Sequence, residues 1–118
     1  MSKRRIKKLP AVFYATSTGT EPVREWLLDQ PADDRRLIGY DIATAELGWP
    51  IGMPLCRSIA GRKGLWEVRT NLTDAKIARV FFCVSGSRMV LLHGIVKKTQ
   101  KTPVKDLDLD EKRMKELK

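Results

Sequence analysis

Two β-prone runs in the second half of the chain constrain the fold most. Residues 77–84 read Ile77-Ala78-Arg79-Val80-Phe81-Phe82-Cys83-Val84. Residues 89–98 read Met89-Val90-Leu91-Leu92-His93-Gly94-Ile95-Val96-Lys97-Lys98. Both are rich in β-branched, aliphatic and aromatic side chains, which suit a pleated, buried surface. Only Ser85-Gly86-Ser87 and Arg88 separate them. So short a link between such runs makes a tight hairpin, and a hairpin makes its strands antiparallel. Upstream, residues 65–70 alternate, with Trp66 and Val68 on one side and Glu67 and Arg69 on the other. Residues 71–74 then carry a turn signal. Residues 54–59 and 11–16 supply shorter candidate strands.

The first half reads differently. Thr20 is a candidate N-cap with Pro22 in the first turn. Val23, Trp26 and Leu27 follow at i, i+3 and i+4, one face of a helix. Pro31 separates this helix from a second. Asp33 and Asp34 suit the positive end of that second helix. Ile38, Ile42 and Ala45, with Leu37 beside them, form its apolar stripe, and Gly48-Trp49-Pro50 ends it. Leu107, Leu109, Met114 and Leu117 permit a charged, weakly amphipathic helix over residues 103–118. The expected fold is α+β: two N-terminal helices packed on one face of a mainly antiparallel sheet of four or five strands, with a short C-terminal helix. The other face is expected to be open or partly covered. At 118 residues there is room for one core. The expected organisation is a basic N-terminal arm over residues 1–8 and a single domain over 9–118.

Charge is unevenly placed. The net charge is +9. Residues 9–56 hold three basic and seven acidic groups, whereas residues 57–101 hold ten basic groups against Glu67 and Asp74. That excess favours a polyanionic partner meeting the later strands. No apolar run approaches the ~18 residues of a membrane span. The basic N-terminus lacks the apolar stretch of a secretion signal. Two cysteines, Cys56 and Cys83, without CxxC spacing point to a reducing cytoplasm, where they serve as small buried hydrophobes. With one histidine, His93, a Cys/His metal site cannot be assembled, and no cofactor is expected. Trp26, Trp49 and Trp66 read as core.

Three adjacent strands each deliver a cation near mid-sheet. A cation within an apolar strand is costly unless it finds a counter-charge or water. One account of Arg79 is an ion pair with Glu67 on the neighbouring strand. The other is a phosphate-binding cluster of Arg69, Arg79 and Lys98, flanked by Lys97, Lys101, Lys63 and Arg62. RNA carries its own nucleophile, the 2′-OH. Guanidinium groups fit phosphoryl oxygens bidentately, and a lysine crowded by cations has a lowered pKa suited to proton transfer. Arg69 and Arg79 are then the transition-state contacts, and Lys97 or Lys98 moves the proton. Simple alternation puts Lys98 with Val90, Leu92 and Gly94, and Lys97 with His93. Parity alone does not fix which face is open, because a bulge would flip it. His93 is either a core histidine or a titrating group.

Four segments carry a family resemblance: Glu21-Pro22-Val23-Arg24-Glu25-Trp26-Leu27, Gly48-Trp49-Pro50-Ile51-Gly52-Met53-Pro54-Leu55, Gly64-Leu65-Trp66-Glu67-Val68-Arg69, and the strand pair ending in Lys97-Lys98-Thr99-Gln100-Lys101-Thr102-Pro103. Across residues 11–117 the chain resembles the phage-derived HigB-like toxins of the RelE/ParE superfamily. The resemblance implies a RelE-like fold and a type II toxin–antitoxin toxin, a metal-independent mRNA endonuclease (mRNA interferase) acting on ribosome-bound mRNA. It also implies a helix-turn-helix, HigA-like antitoxin as partner. Arg79 matches the central-strand arginine that contacts the scissile phosphate, and Lys98 a basic residue at the end of the last strand. The candidate catalytic residues are therefore Arg69, Arg79, Lys97 and Lys98, with Arg57, Arg62, Lys63, His93 and Lys101 as RNA-binding candidates. Glu67 stands where RelE carries a lysine, Ser58 where a basic group is expected, and no tyrosine follows Lys98. The general base is left unassigned. Two alternatives stay open: a gyrase-directed, ParE-like toxin, and a non-catalytic module that binds nucleic acid or antitoxin.

Overall fold

The computed structural model describes residues 6–99 and 101–117. The expected hairpin is the centre of its sheet. Strands β4 (Ile77–Ser85) and β5 (Arg88–Lys97) pair antiparallel, and Ser85 opposite Arg88 leaves a two-residue loop. Gly86 opens that loop at φ +61°, a conformation that matches strand twist and that glycine adopts without strain. Before them come β1 (Ala11–Phe13), helices α1 (Pro22–Leu28) and α2 (Ala32–Gly48), β2 (Cys56–Ser58) and β3 (Trp66–Asn71). Helix α3 (Val104–Lys115) follows. The spatial order is β1-β5-β4-β3-β2, antiparallel throughout except for the parallel β1/β5 pair at one edge.

Helices α1 and α2 cover one face. The stripe Ile38, Ile42 and Ala45 is buried as its spacing predicts, together with Val23 of α1, and it meets Val68, Ala78, Val80, Phe82, Met89 and Leu91 of the sheet. Burying a side chain such as Ile38 contributes ~1.5–3 kcal/mol. Trp26, Trp49 and Trp66 pack against this core. The Trp49 ring sits edge-on to Trp66 at 5.0 Å and to Phe82 at 5.5 Å. Glu46 is buried among these groups because it has work for its charge: its carboxylate accepts the Ala11 N–H at 2.7 Å and pairs with Lys7 at 3.1 Å. That tie fixes the edge strand to α2. The remainder of the expected N-terminal arm, residues 1–5, lies outside the described residues.

Two expectations need correction. Glu21, not Thr20, holds the N-cap position of α1, without a side-chain cap bond. Thr20 is used instead to close the preceding loop, its N–H donating to the Thr16 hydroxyl and its carbonyl accepting the Thr16 N–H. The second face is partly covered, one of the two states expected of it. Leu107, Met114 and Leu117 lay α3 against a second core of Tyr14, Leu65, Phe81, Cys83, Val90, Leu92 and Ile95. Finally, the β4/β5 register shifts between Phe81 and Phe82. Phe81 faces His93 while Phe82 faces Leu91, so Leu92 is an extra residue on β5. The bulge inverts the simple parity beyond it. Gly94 now lies against Trp26 on the α1/α2 face, and Lys97, opposite Ile77, joins the α3 face.

Candidate active site

The α3 face of the sheet gathers the internal charges. Register places Arg57 opposite Glu67 and Arg69 opposite Arg79, so alternation puts all four on one side of three adjacent strands. Like charges directly opposite destabilise a strand pair, and Glu67 is what permits this one. Its Oε2 lies 3.3 Å from Arg57 Nη2 and 3.7 Å from Arg69 Nε, and its Oε1 lies 3.7 Å from Arg79 Nε. Glu67 and Arg79 are wholly buried. These are ion pairs, and neither Glu67 oxygen has a hydrogen-bond partner among the described residues. Burial pulls the Arg79 guanidinium below its ordinary range. Glu67 opposes that fall, and Arg69 and Arg57 add to it. Three guanidiniums gathered around one carboxylate make this part of the face cationic, a patch that attracts anions.

The segment after β5 passes over this patch. Arg79 Nη1 donates to the Thr99 carbonyl at 3.1 Å. Arg57, whose side chain is 39% exposed, opens onto a cavity of about 490 Å3 that Lys101 also lines. The structure thus brings Arg57, Arg69 and Arg79 together and sets Lys97 on the same face. It leaves Lys98 exposed on the bend after β5, Lys101 exposed beside Arg57, and Lys63 exposed in the turn before β3.

Two RNA-binding candidates are engaged elsewhere, in holding α3. Arg62 donates to Asp108 and Glu111, both at 2.7 Å. His93 stacks on Phe81 with its Nε2 2.9 Å from Asp106 Oδ1. Arg113 completes the latch: it donates to the Leu92 carbonyl at 2.6 Å and lies over the Tyr14 ring. The Tyr14 hydroxyl donates to Glu116, which, with burial, raises the phenol's pKa. Among these ties sits Asp110, wholly buried, with no hydrogen-bond partner for either oxygen among the described residues. Burial pushes its carboxyl up to about 8. Sequence reasoning missed this polar face of α3. The available signal was the spacing of Asp106, Asp110 and Arg113, at i, i+4 and i+7, which lines one side of a helix.

Residues 25–115 match the family model of phage-derived Gp49-like proteins (DUF891). The chain belongs to the Gp49-like phage-derived protein family. That family is of the RelE/HigB toxin type and fits a toxin–antitoxin setting with an antitoxin partner. No curated protein matches the chain. No helix among the described residues is long and apolar enough to cross a membrane, and no group of His, Cys, Asp and Glu there could hold a metal ion.

Proposed function

We propose that this Gp49-like protein is the toxin of a type II toxin–antitoxin pair with a HigB-like activity, an endoribonuclease that cuts mRNA on the ribosome, and that a helix-turn-helix antitoxin restrains it. The observation that carries the reading is the convergence of Arg57, Arg69 and Arg79 on the single carboxylate of Glu67 beside an open cavity. In the reaction the 2′-oxygen bonds to phosphorus and the bond from phosphorus to the 5′-oxygen breaks. The 2′-OH gives up its proton to a base, and the departing 5′-oxygen takes one from an acid. The products are a 2′,3′-cyclic phosphate and a 5′-hydroxyl. Arg57 is the first guanidinium an incoming phosphate meets. Together with Arg69 it compensates the charge that grows on the phosphoryl oxygens. Arg79 reaches substrate only if the Thr99 carbonyl that it holds moves away. Otherwise it acts through Glu67, which positions all three arginines. Lys97 and Lys98, at the end of β5, are the proton-transfer candidates.

One observation favours the non-catalytic reading: Glu67 and Arg79 are fully buried, as expected of a purely structural ion pair. Induced expression followed by primer extension on cellular mRNA separates the readings. The nuclease predicts growth arrest and discrete transcript ends, both lost in Arg57→Gln combined with Lys98→Ala. A variant that still cuts at the wild-type level refutes the site. Arrest with intact transcripts and DNA-damage signalling identifies the gyrase-directed alternative.

A further inference from the structure

The three cations that Glu67 holds differ in what else can reach them. Arg79 is wholly buried, and its Nη1 donates to the Thr99 carbonyl. Arg69 turns its Nε toward Glu67, and its side chain is 19% exposed. Arg57 stands on β2, an edge strand of the sheet, and its half-exposed side chain opens onto the cavity that Lys101 also lines. Among the described residues no acidic side chain lines that cavity. Glu67 itself is wholly buried, so a ligand meets the Arg57 guanidinium and not the carboxylate behind it. The inner cations are fixed, and the outer one has a choice of counter-charge.

We propose that Glu67 is a resident counter-anion that competes with an incoming phosphate for Arg57, a positioning residue that sets the cations in place and keeps ground-state affinity low. The carboxylate is what makes three close guanidiniums tolerable within a fold. When an anion enters the cavity, Arg57 divides its attraction between that anion and Glu67, and the two anions repel each other across it. A neutral isostere in place of Glu67 removes the rival. The phosphate then supplies the counter-charge that the fold lacks, and it binds more tightly. Tighter binding of the ground state does not speed a reaction. Guanidiniums released from Glu67 follow the bound phosphate and no longer hold the place where charge develops. The same substitution therefore tightens binding and slows cleavage, a pairing that a purely structural ion pair does not give. That the anion is an RNA phosphate rests on the nuclease reading. The competition does not, and inorganic phosphate reads it.

The test follows urea unfolding of the full chain in potassium phosphate against potassium chloride at matched ionic strength. The proteins are wild type, Glu67→Gln, Glu67→Asp and the double variant Glu67→Gln with Arg57→Gln. A ligand that binds only the folded state stabilises it according to its concentration relative to its dissociation constant, so the unfolding curves give phosphate affinities. The phosphate dissociation constant should fall by about tenfold or more in Glu67→Gln, and stay within about threefold of wild type in Glu67→Asp, which keeps the charge. The double variant should lose the phosphate dependence that Glu67→Gln gains. In chloride it should also be more stable than Glu67→Gln, because one uncompensated cation is gone. If Glu67→Gln is unfolded in chloride, phosphate should restore its fold, read by circular dichroism. Equal phosphate affinity in wild type and Glu67→Gln overturns the proposal, and so does a Glu67→Gln chain that stays unfolded at every phosphate concentration. In a parallel cleavage assay on single-stranded RNA, kcat and KM should fall together in Glu67→Gln and return toward wild type in Glu67→Asp. A fall in kcat with KM unchanged or raised overturns the competition and leaves the nuclease standing. Tightened phosphate binding in Glu67→Gln, with no RNA cut by the wild type, does the reverse.

Discussion

Glu67 is the residue on which the cationic face depends. It is the one acid among three arginines, two of which stand directly opposite one another. Removing the shared partner of a buried ion cluster leaves uncompensated charge, which costs far more than the net worth of the pair. Glu67→Gln should therefore destabilise the fold by about 3 kcal/mol. Arg57→Gln should cost less than about 1 kcal/mol because that guanidinium is partly solvated. Urea unfolding of the two variants measures both, and equal losses would contradict the shared-partner account. The ordering also makes Arg57 a cleaner probe of activity than Arg79, whose loss would confound catalysis with unfolding. Gly94 makes the same kind of argument on the opposite face. A Cβ there would come within 2.5 Å of the Trp26 ring, closer than real side chains tolerate. Gly94→Ala should cost about 1–3 kcal/mol by overpacking, read as a lower urea midpoint. Trp26→Leu in the same background should restore part of it.

Among the elements, α3 is docked by polar ties as much as by apolar contact, and Asp110 is the group that makes its docking depend on pH. Its carboxyl titrates near 8 when folded and near the ordinary 3.8 when unfolded. Burial is the main cause. Asp106 adds to the rise, and Arg113 and Arg62 oppose it. Between those values the folded state holds one more proton than the unfolded state, so stability falls as pH rises. The contribution of Asp110 is fully present below about 4 and lost by the time the pH passes about 8. Wild-type urea midpoints should drop between pH 5.5 and 8.5, and Asp110→Asn should flatten that slope and be the more stable protein at the alkaline end. The opening free energy of the α3 amides, from hydrogen exchange corrected for the intrinsic pH dependence of exchange, should fall with pH in the wild type only. A slope that is the same in the variant would place the titration elsewhere.

For the whole molecule, the two layers differ in charge: residues 9–56, which supply α1 and α2, are acidic, and residues 57–101, which supply β2–β5 apart from the Cys56 position, are strongly basic. Single-stranded RNA binding through Arg57, Lys97, Lys98 and Lys101 should weaken with salt, with a log–log slope of about −2 to −3 for some four phosphate contacts. A flat salt dependence in filter-binding or fluorescence titrations would mean the polyanion does not meet this face. The order of elements, the α2 stripe of Ile38, Ile42 and Ala45, and the alternation that sets Glu67 and Arg69 against Trp66 and Val68 were all legible in the sequence. They depend on local period, and local period is written residue by residue. The possibility that Arg79 pairs with Glu67 was legible too, since one acid stood among many bases in adjacent strands. What the chain order does not carry is which strands lie side by side across long gaps. The parallel β1/β5 edge, the sharing of Glu67 by Arg57 as well as Arg69 and Arg79, and the exchange of Lys98 for Lys97 by the single extra residue Leu92 were decided by the tertiary structure. So was the inward polar face of α3, because burial of Asp110 is a property of the surface the helix lands on and not of the helix itself.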